Sequence, residues 1–257
     1  MTERPQFSID LRAPFWDAPP WPTVIDLAQL LPTHSWTLIG GLMVALHAEI
    51  AGHEPSRATT DVDATLHLET ESTRFSQVAN TLTEHGYVLD AHTTHAYRFD
   101  RGSERIDVMC SDRYAAYRKP QYQGRPLFGV PGATRALKNT INVEASTEAV
   151  GIKLVLPTLQ GALILKGAAL MEDHRAPERH AEDGVLLLAC VENVDDISAG
   201  LSQRSRRRLR HLCTTLERSP RAWDSHSRDV QSLARESLTL LQENLTGGRG
   251  PGHRRHR

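Results

Sequence analysis

The sequence LIGGLMVALHAEIAGHEPSRATTDVD, residues 38–63, places two glycines near one end of a short segment and two aspartates at the other. The apolar residues before the glycines predict a strand over residues 36–39, and the apolar spacing after them predicts a helix over residues 42–50. A loop that contains glycine and proline follows, and the next residues predict a second strand over residues 59–68. The segment therefore predicts a strand, a glycine pair, a helix and a strand that carries the aspartates.

Two carboxylates stand side by side in that second strand. Because side chains alternate between the two faces of a strand, Asp61 and Asp63 lie on one face and Val62 lies on the other. Adjacent carboxylates repel each other, and Mg²⁺ is commonly bound by one or two carboxylates together with substrate phosphates. Asp107 lies in another predicted strand, within an apolar run. If the two strands are neighbours, the three acids could hold two metal ions about 3.5–4 Å apart, the separation used in phosphoryl and nucleotidyl transfer.

Gly40 and Gly41 stand between the first predicted strand and the predicted helix. Free N–H groups and the helix dipole at a helix N-terminus attract phosphate, and the missing side chains let a triphosphate approach the backbone closely. Taken alone, a glycine pair is more often a turn, and an Asp-x-Asp pair is more often polar surface. The full order of strand, glycines, helix and three acidic positions favours a nucleotide site with metal-binding aspartates.

Composition limits the class of protein. Hydrophobic residues make up 39% of the 257 residues and charged residues 24%, as in ordinary globular proteins. The longest apolar runs are too short to span a bilayer, and the N-terminus lacks the features of a secretory signal. The cysteines Cys110, Cys190 and Cys213 are far apart and odd in number, which disfavours a disulfide framework or a cysteine-rich zinc site. These features predict a cytoplasmic protein without a membrane partner.

The chain divides into an α/β half and a helical half. Residues 1–22 are rich in proline and aromatic residues and predict an irregular N-terminal arm. Residues 23–156 contain the predicted strands, and residues 157–246 have mainly helical apolar spacing. Residues 247–257, GGRGPGHRRHR, predict a disordered basic tail. The sequence thus predicts an α+β fold with a helical C-terminal half.

The net charge of −1 hides an asymmetry. Residues 201–257 contain 13 arginines, no lysine and 5 acidic residues, so this part carries about +8 and the rest of the chain about −9. The run RSRRRLRH at residues 204–211 concentrates the positive charge and is typical of a surface that meets a polyanion such as RNA. A solvated helix face that pairs with acidic residues elsewhere in the protein is the alternative.

These motifs resemble the signature of DNA polymerase β-type nucleotidyltransferases. The resemblance is carried by the glycine segment, residues 38–47, and by the aspartate segment RATTDVD, residues 57–63. More narrowly, both are similar to the AbiEii/AbiGii toxin group of bacterial toxin–antitoxin and phage-defence systems, with a small insertion at residues 49–55. The resemblance implies a polymerase β-type core, a small mixed sheet with helices, over residues 23–156. The likeness covers roughly residues 36–190 and does not extend to the N-terminal arm or to the arginine-rich end.

A second match lies in the helical half. Residues 154–169 contain Lys166 in an otherwise apolar run, and the segment RHAED follows at residues 179–183. In the toxin group, a helical lysine faces the nucleotide phosphates and a Lys-Asp-x-x-Asp segment follows it. The resemblance therefore implies nucleotide-binding roles for Lys166 and Asp183, whereas His180 stands where the first aspartate is usual. On its own, a lysine in an apolar helix could equally extend its ammonium to the surface.

The resemblance implies a Mg²⁺-dependent, toxin-like nucleotidyltransferase, most simply with two metal ions and with an NTP such as ATP as substrate. The expected catalytic and metal-binding residues are Asp61, Asp63 and Asp107. The expected nucleotide-binding residues are Gly40, Gly41, Lys166 and Asp183. The expected acceptor is an RNA such as tRNA, and the expected protein partner is a cognate antitoxin. Two alternatives stay open: transfer to a small hydroxylated molecule, as in antibiotic-modifying enzymes, and a nucleotide-binding module without catalytic activity.

Overall fold

The structure is a computed structural model that describes residues 4–10, 18–55, 59–70, 73–146, 151–173 and 176–247. The chain forms two compact units. The first unit consists of Met1–Met43 and Ala58–Pro157, and the second consists of Val44–Arg57 and Thr158–Arg257. The strands described below belong to the first unit, and the C-terminal half is helical, so the predicted α+β class is confirmed.

Strands and helices are interspersed up to Pro157. In chain order the elements are β1 (Gln6–Asp10), α1 (Trp21–Leu30), β2 (Trp36–Ile39), α2 (Gly40–Ile50), β3 (Val62–Leu66), α3 (Phe75–Glu84), β4 (Val88–Leu89), β5 (Arg98–Arg101), β6 (Glu104–Ser111), α4 (Asp112–Arg118), β7 (Gln121–Tyr122), β8 (Arg125–Pro126), β9 (Gly129–Val130), α5 (Ala133–Ala136), β10 (Thr140–Ser146) and β11 (Gly151–Pro157). Single 3₁₀ turns lie at Thr33–Ser35 and Leu68–Thr70. Helix α2 begins in the first unit, and its residues from Val44 onward are grouped with the second.

A mixed sheet organises the first unit. Its strand order is β2-β3-β6-β5-β4, and β9 also pairs with β6. Strand β3 is antiparallel to β2 and parallel to β6, and β5 is antiparallel to both of its neighbours. Val62, Ala64 and Leu66 of β3 are completely buried. Because side chains alternate along a strand, Asp63 projects from the opposite face to these three residues.

A second sheet has the order β1-β10-β11 and corrects one expectation. The irregular arm predicted over residues 1–22 contains strand β1, which runs parallel to β10 with Phe7 opposite Val143, and helix α1 already begins at Trp21. Only Ile9 of β1 is buried, so its pairing depends on backbone hydrogen bonds rather than on an apolar pattern. The prolines and aromatic residues elsewhere in the arm predicted irregular structure, so the strand was not predicted. Residues 1–3 and 11–17 lie outside the described residues.

The C-terminal half consists of helices. They are α6 (Leu159–Glu172), α7 (Pro177–Ala189), α8 (Val194–Ser198), α9 (Gln203–Arg218), α10 (Arg221–Asp224) and α11 (Arg228–Thr246). The Thr158 side chain accepts a hydrogen bond from the Gly161 N–H and caps α6. In the described ranges, no helix is both long and apolar enough to cross a membrane. The predicted basic tail, apart from Gly247, lies outside the described residues.

Candidate metal centre

Three carboxylates meet where the start of β3 lies beside the middle of the parallel strand β6. Asp63 of β3 lies directly opposite Asp107 of β6 in the strand register, and Asp61 lies one residue before β3 begins. One carboxylate oxygen from each of the three residues lies within 4.8 Å of the other two. Asp107 is buried, whereas Asp61 and Asp63 are half-buried. The structure therefore brings together the three acidic residues that the sequence analysis singled out.

The donor set fits a hard divalent cation. Mg²⁺ binds oxygen ligands at about 2.0–2.1 Å, so two oxygens on opposite sides of one ion are about 4.2 Å apart. At most one pair of the three oxygens can lie on opposite sides, and oxygens in neighbouring positions of the octahedron are about 3 Å apart. Side-chain rotations would therefore have to bring the three carboxylate oxygens, which lie within 4.8 Å of one another, closer together. Two ions about 3.5–4 Å apart could also share three carboxylates. Asp61, Asp63 and Asp107 are therefore the residues that would hold the metal.

Gly40 makes room for one of these carboxylates. It is the first residue of helix α2 and follows Ile39, the register partner of Asp63. Its φ is +74°, and a Cβ built on it would lie 1.8 Å from Oδ2 of Asp63 and 2.7 Å from Cγ. A side chain at Gly40 is thus excluded both by the backbone conformation and by the carboxylate. Phosphate binding by Gly40 and Gly41 stays a prediction.

Arg98 is the site residue that sequence reasoning missed. It lies on β5 opposite Asp107, where Nε donates to Oδ1 at 2.9 Å and Nη2 donates to Oδ2 at 2.8 Å. Burial raises the pKa of Asp107, and the hydrogen bonds from Arg98 oppose that shift. The same bonds raise the pKa of Arg98, so the guanidinium stays charged. The contact depends on the register of the β5–β6 hairpin, which decides which residues of the two strands face each other.

Asp61 has a different neighbour. The Thr59 hydroxyl donates a hydrogen bond to its Oδ1 at 3.2 Å. The loop before β3 is thus fastened to the first carboxylate of the pair. This contact limits the rotation of the Asp61 side chain and leaves further lone pairs of the carboxylate for other ligands.

Lys166 and Asp183 pair with each other inside the helical unit. Nζ of Lys166, on α6, lies 2.7 Å from Oδ2 of Asp183, on α7, and both side chains are buried. A buried ammonium group requires an anion, and Asp183 supplies one, so Lys166 does not extend to the surface. His180 lies nearby, and its pKa is lowered by burial and by the charge of Lys166. Nucleotide binding by Lys166 and Asp183 stays a prediction.

The arginine run at residues 204–211 divides into two kinds of residue on helix α9. Arg208 is buried, with 7% of its surface exposed, and Arg210 donates a hydrogen bond to a backbone carbonyl at the end of α11. Arg204 and Arg207 are exposed. Part of the run therefore stabilises the helical unit, and part of it is available to a polyanion.

Comparison of the chain with models of protein families, with curated proteins and with solved structures finds no match. Function is therefore inferred from the geometry and charges of the residues themselves.

Proposed function

We propose that this protein is a Mg²⁺-dependent nucleotidyltransferase that transfers a nucleotide from an NTP to an acceptor, with an RNA such as tRNA as the first candidate. The observation that carries the proposal is the convergence of Asp61, Asp63 and Asp107 on adjacent strands, with one oxygen from each within 4.8 Å of the others. Gly40, which begins the next helix and gives way to Asp63, supports a site built for these carboxylates.

The mixed sheet β2-β3-β6-β5-β4, with helix α2 directly after β2, supports a polymerase β-type architecture for the first unit. In that architecture the carboxylates lie beside the N-terminus of a helix. The N–H groups at such a terminus favour an anion such as a phosphate. The two groups required for nucleotidyl transfer, a metal-binding cluster and a phosphate-binding backbone, then lie in one unit of the chain.

The chemistry follows from the charges of the site. When bound, Mg²⁺ would neutralise charge on the triphosphate and on the leaving pyrophosphate. A carboxylate of the cluster would accept the proton of the acceptor hydroxyl. The acceptor oxygen then bonds to the α-phosphorus while the bond from that phosphorus to the pyrophosphate oxygen breaks. The sheet fixes the positions of the carboxylates in advance, which reduces the reorganisation needed during the reaction.

The exposed Arg204 and Arg207 on α9 favour RNA over a small molecule as the acceptor, because guanidinium groups bind phosphates in two-pronged contacts. The resemblance to the AbiEii/AbiGii toxin group extends the proposal to a toxin-like role and to a cognate antitoxin that restrains it. Such a partner would be encoded beside this chain.

A transfer assay tests the proposal. The protein is incubated with each α-labelled NTP, Mg²⁺ and total tRNA, and the label is followed into RNA, protein and small molecules. Label in RNA is expected, and it should disappear in Asp61→Asn and in Asp63→Asn, because a neutral amide is a poor Mg²⁺ ligand. Asp100→Asn is the matched control, since Asp100 also lies in this sheet and pairs with an arginine, at 2.8 Å, but is not one of the three clustered acids.

The outcomes separate the candidate functions. Label found in a small hydroxylated molecule would show that such a molecule, and not RNA, is the acceptor. NTP binding without transfer to any acceptor would indicate a nucleotide-binding module. Transfer that persists at the wild-type rate in Asp63→Asn would show that the carboxylate cluster is not the catalytic site.

A further inference from the structure

The β5–β6 hairpin carries two cross-strand pairs of an arginine and an aspartate. Arg98 lies opposite Asp107, and Asp100 lies opposite Arg105. The first pair is two-pronged and largely shielded, with side chains that are 22% and 7% exposed. The second is a single contact at 2.8 Å, in which the side chain of Arg105 is 43% exposed and that of Asp100 is 35% exposed. Two pairs of the same chemistry therefore differ in one further respect: only the first includes a carboxylate of the metal cluster.

The first pair engages both oxygens that Asp107 could offer to a metal. Each oxygen accepts one hydrogen bond from Arg98, at 2.9 and 2.8 Å. A carboxylate has about four lone-pair positions, and in this buried setting two of them are directed at one guanidinium. A dication that approaches Asp107 meets a fixed positive charge on the same carboxylate, and two cations repel each other strongly where water is scarce.

We propose that Arg98 is the counter-ion of the acidic cluster when no metal is bound, an inference that rests on the proposed metal site. Arg98 binds the Asp107 carboxylate and competes with the divalent cation for it. Arg98 thereby lowers the affinity of the site for free metal ions. Two effects act in the same direction, since the guanidinium occupies the oxygens of Asp107 and its charge repels the incoming ion. Arg98 thus influences metal binding mainly through its contact with Asp107.

A residue that supports a metal ligand would have the opposite effect on metal affinity. A residue that only orients a metal ligand raises the affinity of the site, and its loss typically costs 10–100-fold in metal binding. If Arg98 is the competing cation, its loss instead strengthens metal binding. The direction of the change therefore distinguishes the two roles.

The experiment measures Mn²⁺ binding by electron paramagnetic resonance, without NTP, in wild type, Arg98→Met and Arg105→Met. Methionine removes the charge and the hydrogen bonds and keeps an unbranched side chain. Arg98→Met is expected to bind Mn²⁺ about tenfold more tightly, a change as large as the lower end of the range for outer partners of metal ligands. Arg105→Met is the matched control and should stay within about twofold, because its partner Asp100 lies outside the cluster.

A second pair of variants shows whether the effect passes through Asp107. In the Asp107→Asn background, the Arg98→Met substitution should raise Mn²⁺ affinity by less than it does in the wild-type background, because the competition for the shared carboxylate is gone and only the repulsion between the two cations is removed. If Arg98→Met does not fold, Arg98→Lys provides the test. A lysine keeps the charge but cannot form the planar two-pronged contact, so a smaller gain in affinity is expected.

Unchanged or weaker Mn²⁺ binding in a folded Arg98 variant overturns the inference, as does an absence of Mn²⁺ binding in both wild type and variant. The assay contains no nucleotide. The predicted gain in Mn²⁺ affinity together with a negative transfer assay would therefore refute the proposed activity and leave the role of Arg98 standing. Transfer activity without a gain in Mn²⁺ affinity in the Arg98 variant would support the proposed activity and refute the role of Arg98.

Discussion

Replacing Gly40 by alanine tests the geometry that links helix α2 to the carboxylate cluster. The new Cβ would lie 1.8 Å from Oδ2, 2.7 Å from Cγ and 2.8 Å from Cβ of Asp63, all shorter than any normal contact. The backbone at Gly40 also has a φ of +74°, which an alanine adopts only with strain. The substitution therefore perturbs the backbone and the position of Asp63 together.

The expected loss of stability has two parts. Holding a residue with a Cβ in the left-handed region costs about 1–2 kcal/mol. Forcing extra atoms into a packed site typically costs about 1–3 kcal/mol. The free energy of unfolding should therefore fall by about 2–5 kcal/mol, a large fraction of the roughly 5–15 kcal/mol that stabilises an ordinary domain. The displaced Asp63 carboxylate should also bind metal more weakly.

Gly52 provides a control that isolates the first part. It follows the end of the same helix and has a φ of +73°, but a Cβ built on it would meet no atom within 4 Å. Gly52→Ala should cost about 1–2 kcal/mol from backbone strain alone and should leave metal binding unchanged.

Urea unfolding and Mn²⁺ titration of the three proteins give the comparison. We expect Gly40→Ala to be the less stable variant by about 1–3 kcal/mol and the only one with weakened Mn²⁺ binding. Equal destabilisation of the two variants, with Mn²⁺ affinity unchanged in both, would refute the close contact between Gly40 and Asp63.

Three further predictions concern the helical unit. Lys166→Met should lower the free energy of unfolding, measured with urea, by about 3–5 kcal/mol because it removes the cation that pairs with the buried Asp183. Adding Asp183→Leu should restore part of that stability. A rise in Tm on addition of NTP that is identical in wild type and Lys166→Met would exclude Lys166 from nucleotide binding. Changing Arg204 and Arg207 to glutamine should weaken RNA binding and make it less dependent on salt. In a plot of log binding constant against log salt concentration, the slope should fall by roughly 0.7 for each phosphate of single-stranded RNA that the protein no longer neutralises. An unchanged slope in filter-binding assays would identify these arginines as a solvated helix face. Burial lowers the pKa of His226, whose Nε2 donates to the Glu182 carbonyl, so below about pH 6.5 the unfolded chain takes up a proton at this residue that the folded chain does not. The contribution of His226 to stability should therefore be constant above that pH and fall below it, and a melting series from pH 7.5 to 5 should show a shallower fall for His226→Asn than for wild type.

The parts of the site that follow local rules could be predicted from the sequence. An apolar run, two glycines and helical spacing correctly indicated strand β2 and helix α2. The alternation around Val62 correctly indicated that the carboxylates of the two neighbouring aspartates lie close together. The cap at Thr158 was also predictable, since a side-chain cap needs only the next three residues.

The parts that depend on pairing between distant segments could not be predicted. The contact of Arg98 with Asp107 requires the register of the β5–β6 hairpin, and a shift of one residue would have separated them. Strand β1 was missed because its stability comes from the backbone of β10, more than 130 residues away, and not from its own apolar pattern.

The meaning of individual residues also depends on tertiary contacts. The sequence predicts phosphate binding for Gly40, whereas its closest constraint in the structure is the Asp63 carboxylate. Arg208 belongs to a run that the sequence predicts to be either a solvated face or an RNA-binding surface, and it is buried. In both cases the neighbours that decide the role come from other elements of the fold.

The most direct test of the central claim is to locate a metal in crystals soaked with Mn²⁺, by anomalous diffraction at the manganese edge. We predict one or two anomalous peaks in contact with the carboxylates of Asp61 and Asp63, at metal–oxygen distances of about 2.1 Å. The same soak of Asp63→Asn should give no peak there. Manganese bound elsewhere, with no peak among these carboxylates at saturating concentration, would contradict the assignment of this cluster as the metal centre.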